Sequence, residues 1–462
     1  MNKTLLPALL CALAFTQACE QTTTSKTPAA AAPATSAATV QSTHPNWILQ
    51  GNIYEVNVRQ YTPEGTLNAF AKHLDRLQKM GVQTLWFMPL NPISKEGRKG
   101  SLGSYYAVQD YTKLNPEFGT MADWQRLVQD IHGRGMKVLI DWVPNHTGAD
   151  ARWLTQHPGF FVKDRKGPPA VAFDWDDTRQ LDYKNPEMQD SMIAAMRYWV
   201  DKTGIDGFRC DVAWNVPGTF WKRAIPALEK GSKDLFMLAE GDSAYLPKSG
   251  FDAVYPWHMF HAMEKVAAGK RPATSLDSVR TGWQGMYPKG TIELYFTSNH
   301  DENSWNKADY GSFAGAKHAP FAVFTQTMAD GVPLIYSGQE EPVLRPLKFF
   351  DRDPMSFGKY GRAKFYSTLL DLRKRNPALA ADASFRKVSV GDDRAVYAYV
   401  REKAGHKVLV ILNLSDKEQT ITVKEPGLQG TPHNLFMYTA EPLTEKPWQV
   451  EPWGYVVYEY GR

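Results

Sequence analysis

The chain has 462 residues, 43% of them hydrophobic, enough to bury a large core and too apolar for a disordered polypeptide. Its 53 basic and 49 acidic residues leave a net charge of +4, which lacks the basic footprint of a nucleic-acid-binding protein. The 14 Trp and 21 Tyr are on the high side, and although core packing explains most of them, flat faces of that kind suit a ligand that stacks.

At the N-terminus, Lys3 precedes an apolar run from Leu5 to Phe15, too short to span a bilayer, with the small residues Ala18 and Cys19 after it. Residues 1–19 therefore read as an export signal. Thr16-Gln17-Ala18-Cys19 resembles a bacterial lipoprotein box, in which the cysteine becomes the lipidated first residue. The expectation is a cell-envelope protein, periplasmic or at the surface, whose membrane contact runs only through Cys19. Residues 20–45, rich in Thr, Ala, Ser and Pro, read as a flexible tether. With Cys19 lipidated, Cys210 is the remaining thiol, and no intramolecular disulfide is expected.

From Trp47 onward, strands alternate with amphipathic helices. Ile53 to Val58 is a first strand, and Leu67, Phe70, Leu74 and Leu77 recur at helical spacing until Gly81. Thr84 to Leu90 is a second strand. Thr120 and Asp123 cap a helix with the stripe Trp124, Leu127, Val128 and Ile131, which leads into Lys137 to Val143. Asn185 and Pro186 open another helix, ended by Gly204, before the strand at Gly207. Phe236 to Glu240, Ala253 to Tyr255, Leu294 to Ser298 and Pro333 to Tyr336 bring the strands to eight.

Eight such units predict a closed (β/α)₈ barrel over residues 46–379. No Gly-x-Gly-x-x-Gly follows the first strand, so a dinucleotide fold has no support. A long connection after the third strand, residues 146–183, reads as a small inserted subdomain walling a cleft. Short alternating strands such as Ala395 to Val400 and Lys407 to Asn413 predict an antiparallel β-sandwich over residues 380–462.

In such a barrel the chemistry sits at the C-terminal ends of the strands. Asp141, Asn145 and His146 fall at the end of the third strand, Arg209 and Asp211 at the fourth, Glu240 at the fifth, and His300 and Asp301 at the seventh. Strand alternation puts Arg209 and Asp211 on one face and Phe208 and Cys210 on the other. The arginine favours an ionised Asp211, as a nucleophile requires, and Cys210 is expected to be a buried packing thiol. Glu240 has no cation beside it in sequence, and in a closed cleft near other carboxylates its pKa is expected to rise toward the working pH of a general acid.

Asp141-Trp-Val-Pro-Asn145-His146, Gly207-Phe-Arg209-Cys-Asp211, Ala239-Glu240 and Ser298-Asn-His300-Asp301 resemble, in order, the four sequence regions of the α-amylase family of glycoside hydrolases. Tyr106 ahead of Asp110-Tyr111, and the strand running from Pro333 to Glu340, agree with that resemblance. It implies Asp211 as nucleophile, Glu240 as general acid and then base, and Asp301 as the carboxylate that stabilises the transition state. It also implies sugar contacts from His146 and His300, a stacking platform at Tyr106, substrate binding at Arg209, and Asp141 orienting Arg209.

The implied activity is retaining hydrolysis of α-1,4-glucosidic bonds in an α-glucan or maltooligosaccharide. Two alternatives stay open. One is a transglycosylase or a member like cyclomaltodextrinase, neopullulanase or an α-1,6-glucosidase, to which Val212 points. The other is a non-catalytic glucan-binding lipoprotein. No cofactor is required for the chemistry. Many relatives hold a structural Ca²⁺ through the asparagine matching Asn145, and Asp174, Asp176, Asp177 and Asp182 supply further oxygens. A structural Ca²⁺ is thus an open expectation, and Trp214-Asn215, standing where many α-amylases carry Lys-His, is a departure that bears on calcium and on a strict long-chain endo-amylase alike.

Overall fold

The computed structural model describes residues 44–231 and 234–461. The expected export signal, Cys19 and most of the tether lie outside the described residues. The last two positions read as tether, His44 and Pro45, are ordered parts of the barrel instead, with the His44 imidazole 2.7 Å from Asp252 Oδ1.

Eight parallel strands close into a barrel: Ile53–Val56, Thr84–Phe87, Lys137–Trp142, Gly207–Cys210, Phe236–Ala239, Ala253–Val254, Ile292–Tyr295 and Gly331–Tyr336. Closure comes from the pairing of the first strand with the eighth, with Ile53 opposite Leu334. All eight are buried along their length except at Lys137, as expected of strands covered on both faces. The seventh strand begins two residues earlier than its apolar run suggests, because Glu293 is buried and bonded to the Tyr295 hydroxyl at 2.5 Å.

The helix ends follow local chemistry. Thr120 and Asp123 form a reciprocal capping box at the start of Met121–Gly133. The Asn185 side chain accepts from the Glu187 and Met188 N–H groups to open Pro186–Thr203, which stops at left-handed Gly204. The helix expected from Leu67 to Leu77 is two, Leu67–Ala71 and Leu74–Met80, broken at Lys72 and His73, yet all four predicted apolar positions are buried. Gly207 is required where it stands: a Cβ there would lie 2.0 Å from the Phe236 carbonyl oxygen on the neighbouring strand.

After the third barrel strand, the segments His146–Gly148 and Thr178–Gln180 pair as an antiparallel hairpin that anchors the inserted loop. Beyond the last barrel helix, Ala363–Arg375, the chain forms a six-stranded antiparallel sheet and a two-stranded one around their own apolar core. Among the described residues no helix is long and apolar enough to cross a membrane.

Candidate active site

The ends of the third, fourth, fifth and seventh strands bring the sequence-predicted residues to one rim. A cavity of about 400 Å³ opens there, lined by Tyr106, His146, Asp211, Glu240 and Asp301. Arg209 and His300 are fully buried behind that lining, and Asp141 lies with them.

Arg209 is the hub. Its Nη1 donates to Asp141 Oδ1 at 2.9 Å and to Asp211 Oδ1 at 3.1 Å, and its Nη2 lies 3.1 Å from Glu240 Oε1. One guanidinium therefore serves three carboxylates, a task that its planar fork of donors suits. The absence of a cation beside Glu240 in sequence is thus reversed in space, because the fourth and fifth strands are neighbours in the barrel. Burial opposes the charge on Arg209, but the Asp141 and Glu240 carboxylates outweigh it and hold its pKa well above the usual value.

Asp211 also departs from expectation. Burial first, and the Glu240 charge second, raise its pKa well above the ordinary carboxylate range, with Arg209 opposing them. Its Oδ2 has no hydrogen-bond partner among the described residues. Asp141 is pushed up to about 6 by burial, which its bonds to Arg209 only partly offset. Cys210 is a buried thiol on the other strand face, with burial raising its pKa.

Glu240 has a second donor. The Val212 N–H bonds to Glu240 Oε2 at 2.7 Å, and Val212 reaches that position with φ of 45°. A β-branched residue in the left-handed region costs on the order of 1–3 kcal/mol. The strain lies directly after Asp211, where it aims a backbone donor at the neighbouring carboxylate.

Around the rim, the Tyr106 hydroxyl bonds to Asp141 Oδ2 at 3.1 Å and to His300 Nε2 at 2.7 Å, and its ring stacks on His300 at 5.4 Å. His300 Nδ1 meets Glu55 Oε1 at 2.5 Å, and its Nε2 is 3.3 Å from Asp301 Oδ2. Burial disfavours the imidazolium, but Asp301 and Glu55 outweigh it, so the His300 pKa stands well above its usual value. In turn, His300 overcomes the burial of Asp301 and holds that carboxyl below its usual range. His146 is the opposite case, lowered to about 4 by burial. Its Nδ1 faces the Asn145 amide nitrogen at 3.2 Å, which leaves the hydrogen on Nε2, and Nε2 has no partner among the described residues.

Sequence reading missed Glu55. Its signal was a carboxylate on the inward-facing side of an otherwise apolar first strand. It also missed the aromatic walls: Trp305 and Phe349, 5.3 Å apart beside Asp301, and Trp175 and Trp214 on the inserted and post-nucleophile segments. Nothing in the local pattern distinguishes these rings from core aromatics.

The donor set near Asn145 does not fit calcium. Asn145 Oδ1 accepts from Asn215 Nδ2 at 2.9 Å and from Gln180 Nε2 at 3.1 Å, and the Asn145 carbonyl accepts from Gln180 Nε2 at 2.9 Å. The Trp214 carbonyl is taken by the Tyr245 hydroxyl at 2.7 Å. Asp176 and Asp177 pair with Lys99 at 3.1 and 3.5 Å, and Asp182 accepts from the Lys184 N–H at 2.9 Å. Calcium needs six to eight oxygens, carboxylates among them, whereas amide hydrogens point at both Asn145 oxygens and the one buried carboxylate oxygen without a partner among these described residues is Asp177 Oδ2. Asn215 and Gln180 tie the third strand, the inserted hairpin and the post-nucleophile turn together directly.

A closed barrel with carboxylates gathered at its C-terminal mouth is compatible with glycoside hydrolysis. The model of the alpha-amylase catalytic domain matches residues 20–166 and 171–348, and that of the alpha-amylase SusG C-terminal domain matches residues 396–453. The chain belongs to the alpha-amylase family. It is 28% identical over 427 residues to alpha-amylase MalA of Haloarcula japonica, a match covering 84% of this chain and 58% of that protein. It is 26% identical to a cyclomaltodextrinase of a Bacillus species, with 76% of this chain and 65% of that protein covered. The chain thus spans less than two thirds of either relative. Among solved structures, a maltogenic alpha-amylase, AmyB of Thermotoga neapolitana, superposes with a TM-score of 0.82 at 26% identity, covering 90% of this chain and 99% of the other. An alpha-amylase of Lactobacillus plantarum gives 0.80 at 28% identity, with the same coverage.

Proposed function

We propose that the protein is a retaining hydrolase of α-1,4-linked glucans or maltooligosaccharides. Asp211 is the nucleophile, Glu240 the general acid and then base, and Asp301 the carboxylate that holds sugar hydroxyls as the ring distorts. The observation that carries this reading is the sharing of Arg209, which holds Asp211 and Glu240 together at 3.1 Å each. Retention requires two carboxyl groups roughly 5 Å apart, one attacking and one donating a proton. The names of the relatives and neighbours, alpha-amylase, cyclomaltodextrinase and maltogenic alpha-amylase, support the α-glucan class.

In the first step Asp211 Oδ2, free of protein partners, attacks the anomeric carbon while the bond to the leaving oxygen breaks. The proton from Glu240 goes to that oxygen. The carboxylate left behind is met by the Val212 N–H and Arg209. In the second step it takes a proton from water, whose oxygen attacks the anomeric carbon and releases Asp211. His146 and Tyr106 line the cavity that takes the sugar.

Asp211→Asn should lower turnover of maltopentaose by at least about 10⁴-fold while the circular dichroism spectrum and melting temperature stay native-like. Unchanged rates would remove the assigned nucleophile. NMR of the first product should show the α-anomer, and initial β-anomer would end the retaining reading. Because the Glu240 charge helps to raise the Asp211 pKa, Glu240→Gln assayed on α-maltosyl fluoride should move the acid limb of kcat/KM to lower pH.

For location, we propose export with a lipid anchor at Cys19. Cys19→Ser should move the protein from the membrane fraction to the soluble one, and an unchanged distribution would overturn the anchor.

A further inference from the structure

Glu55 is out of character with the strand that carries it. Its neighbours Ile53, Tyr54 and Val56 fill the core, whereas Glu55 buries a carboxyl completely, opposite Trp86 and Tyr336 on the two flanking strands. A buried carboxylate is unfavourable unless a partner answers its charge. Among the described residues the Glu55 side chain makes one hydrogen bond, from Oε1 to His300 Nδ1 at 2.5 Å, and its Oε2 makes none. An uncharged side chain would fill the same space at less cost, so packing does not account for the carboxyl.

The hydrogen bonds around His300 fix its state. The Tyr106 hydroxyl spends its one hydrogen on Asp141 Oδ2, so toward His300 Nε2, 2.7 Å away, its oxygen can only accept. Asp301 Oδ2, 3.3 Å from the same nitrogen, is a second acceptor, and Nε2 therefore carries a hydrogen. On the other side of the ring Nδ1 meets the Glu55 carboxylate, so it carries one too. A ring with hydrogen on both nitrogens is an imidazolium. The remaining charged or ionisable groups around the pair are Arg209, whose guanidinium lies 5.8 Å from the centre of the Tyr106 ring, Asp141 behind Tyr106, and the Tyr255 and Tyr336 hydroxyls, which burial keeps neutral.

We propose that Glu55 is a positioning residue for the transition state: it holds His300 as a doubly donating imidazolium and balances that charge from beneath, so that Asp301 meets the sugar as a full carboxylate in a fixed orientation. Resting on the hydrolase reading above, this role adds a residue from a strand that none of the four sequence motifs covers. Positive charge builds on the sugar ring as the glycosidic bond breaks. A lone imidazolium beside the ring would oppose that charge. Paired with Glu55 it is close to neutral overall, yet it still donates hydrogens, and the Asp301 carboxylate it holds lines the cavity where the charge develops.

Glu55→Gln keeps the shape and removes the charge. Its kcat on maltopentaose should fall about 10- to 100-fold, with a melting temperature equal to that of wild type or higher, since a buried charge is lost. Without the carboxylate, His300 gives up its second hydrogen at lower pH. The ratio of variant to wild-type kcat should therefore be smallest at pH 8 and rise at least about threefold by pH 5.5, a profile that a loss of packing would not produce. A second measurement needs neither turnover nor a Glu55 variant. Nitrogen-15 NMR of wild-type protein labelled at histidine, with His300 assigned through His300→Asn, should show hydrogen on both of its ring nitrogens at pH 7.5, while His146 stays neutral. A neutral His300 in that spectrum, a Glu55→Gln enzyme with wild-type kcat, or a ratio flat across pH would overturn this role. Wild-type protein that shows the charged ring but does not cleave maltopentaose would instead overturn the hydrolase reading, so the two failures are distinguishable.

Discussion

Arginines are buried at both ends of the barrel, and they meet opposite partners. At the mouth, Arg209 faces Asp141, Asp211 and Glu240. At the other end, Arg373 of the last barrel helix donates to the carbonyls of Gly51 and Gly331 at 2.7 Å each, and to that of Leu49 at 3.2 Å. Arg401, from the C-terminal sheet, donates to the carbonyls of Thr327 at 2.7 Å and Ala380 at 2.6 Å. Burial lowers the Arg373 pKa to about 9 and that of Arg401 to about 10, while the carboxylates raise that of Arg209. The lesson is that burial of a cation does not reveal its task, but its partners do. Fixed carbonyl dipoles make a staple between strand starts and the second domain. Ionisable partners make a site whose charges can change during a reaction.

The sharpest way to break the contrast is at the mouth. Arg209→Lys should lower kcat/KM on maltopentaose by about 10³-fold, roughly 4 kcal/mol of barrier, because a single ammonium cannot hold three carboxylates in place. A loss under tenfold would show that the shared guanidinium does not organise the pair. At the opposite end, Arg373→Met should cost about 4 kcal/mol of unfolding free energy in urea, as three buried carbonyls lose their donor at roughly 1–3 kcal/mol each. Its kcat should stay within about twofold of wild type, and a catalytic loss as large as that of Arg209→Lys would erase the distinction.

A third test uses pH. His146 titrates at about 4 in the folded protein against the usual 6.5, so between those values the unfolded state binds the extra proton and stability falls as pH falls. The window amounts to about 3 kcal/mol at 1.4 kcal/mol per pH unit. Urea melts at pH 7 and pH 4 should therefore show His146→Gln losing about that much less than wild type. Equal losses would mean that the imidazole is not held neutral.

The smallest effect concerns the amide clamp. With Asn215 and Gln180 already bonded to Asn145, chelation by EDTA should shift the melting temperature by less than about 1 °C. A fall of several degrees, reversed by calcium chloride, would return a metal to this position.

Much of this architecture was legible in advance. The eight apolar runs marked the barrel strands, Thr120 and Asn185 marked helix starts, and the motif positions marked which strand ends carry acid. Such features depend on neighbours a few residues apart, which a sequence displays directly. The partner of Glu240 could not be read that way, because Arg209 lies on another strand and meets it only once the strands pair. Glu55 became visible for the same reason, when closure carried the first strand within reach of His300.

By itself the sequence determined the order of strands and helices and the delivery of Asp141, Asp211, Glu240 and Asp301 to the ends of barrel strands, since periodicity and caps are local. Only the tertiary structure decided how those groups share charge, which buried oxygens and nitrogens lack a partner among the described residues, and that Trp214 and Phe173 stand open to solvent. The physical reason is that desolvation and electrostatic coupling depend on distances across the closed barrel, and these belong to the packed fold rather than to any stretch of chain.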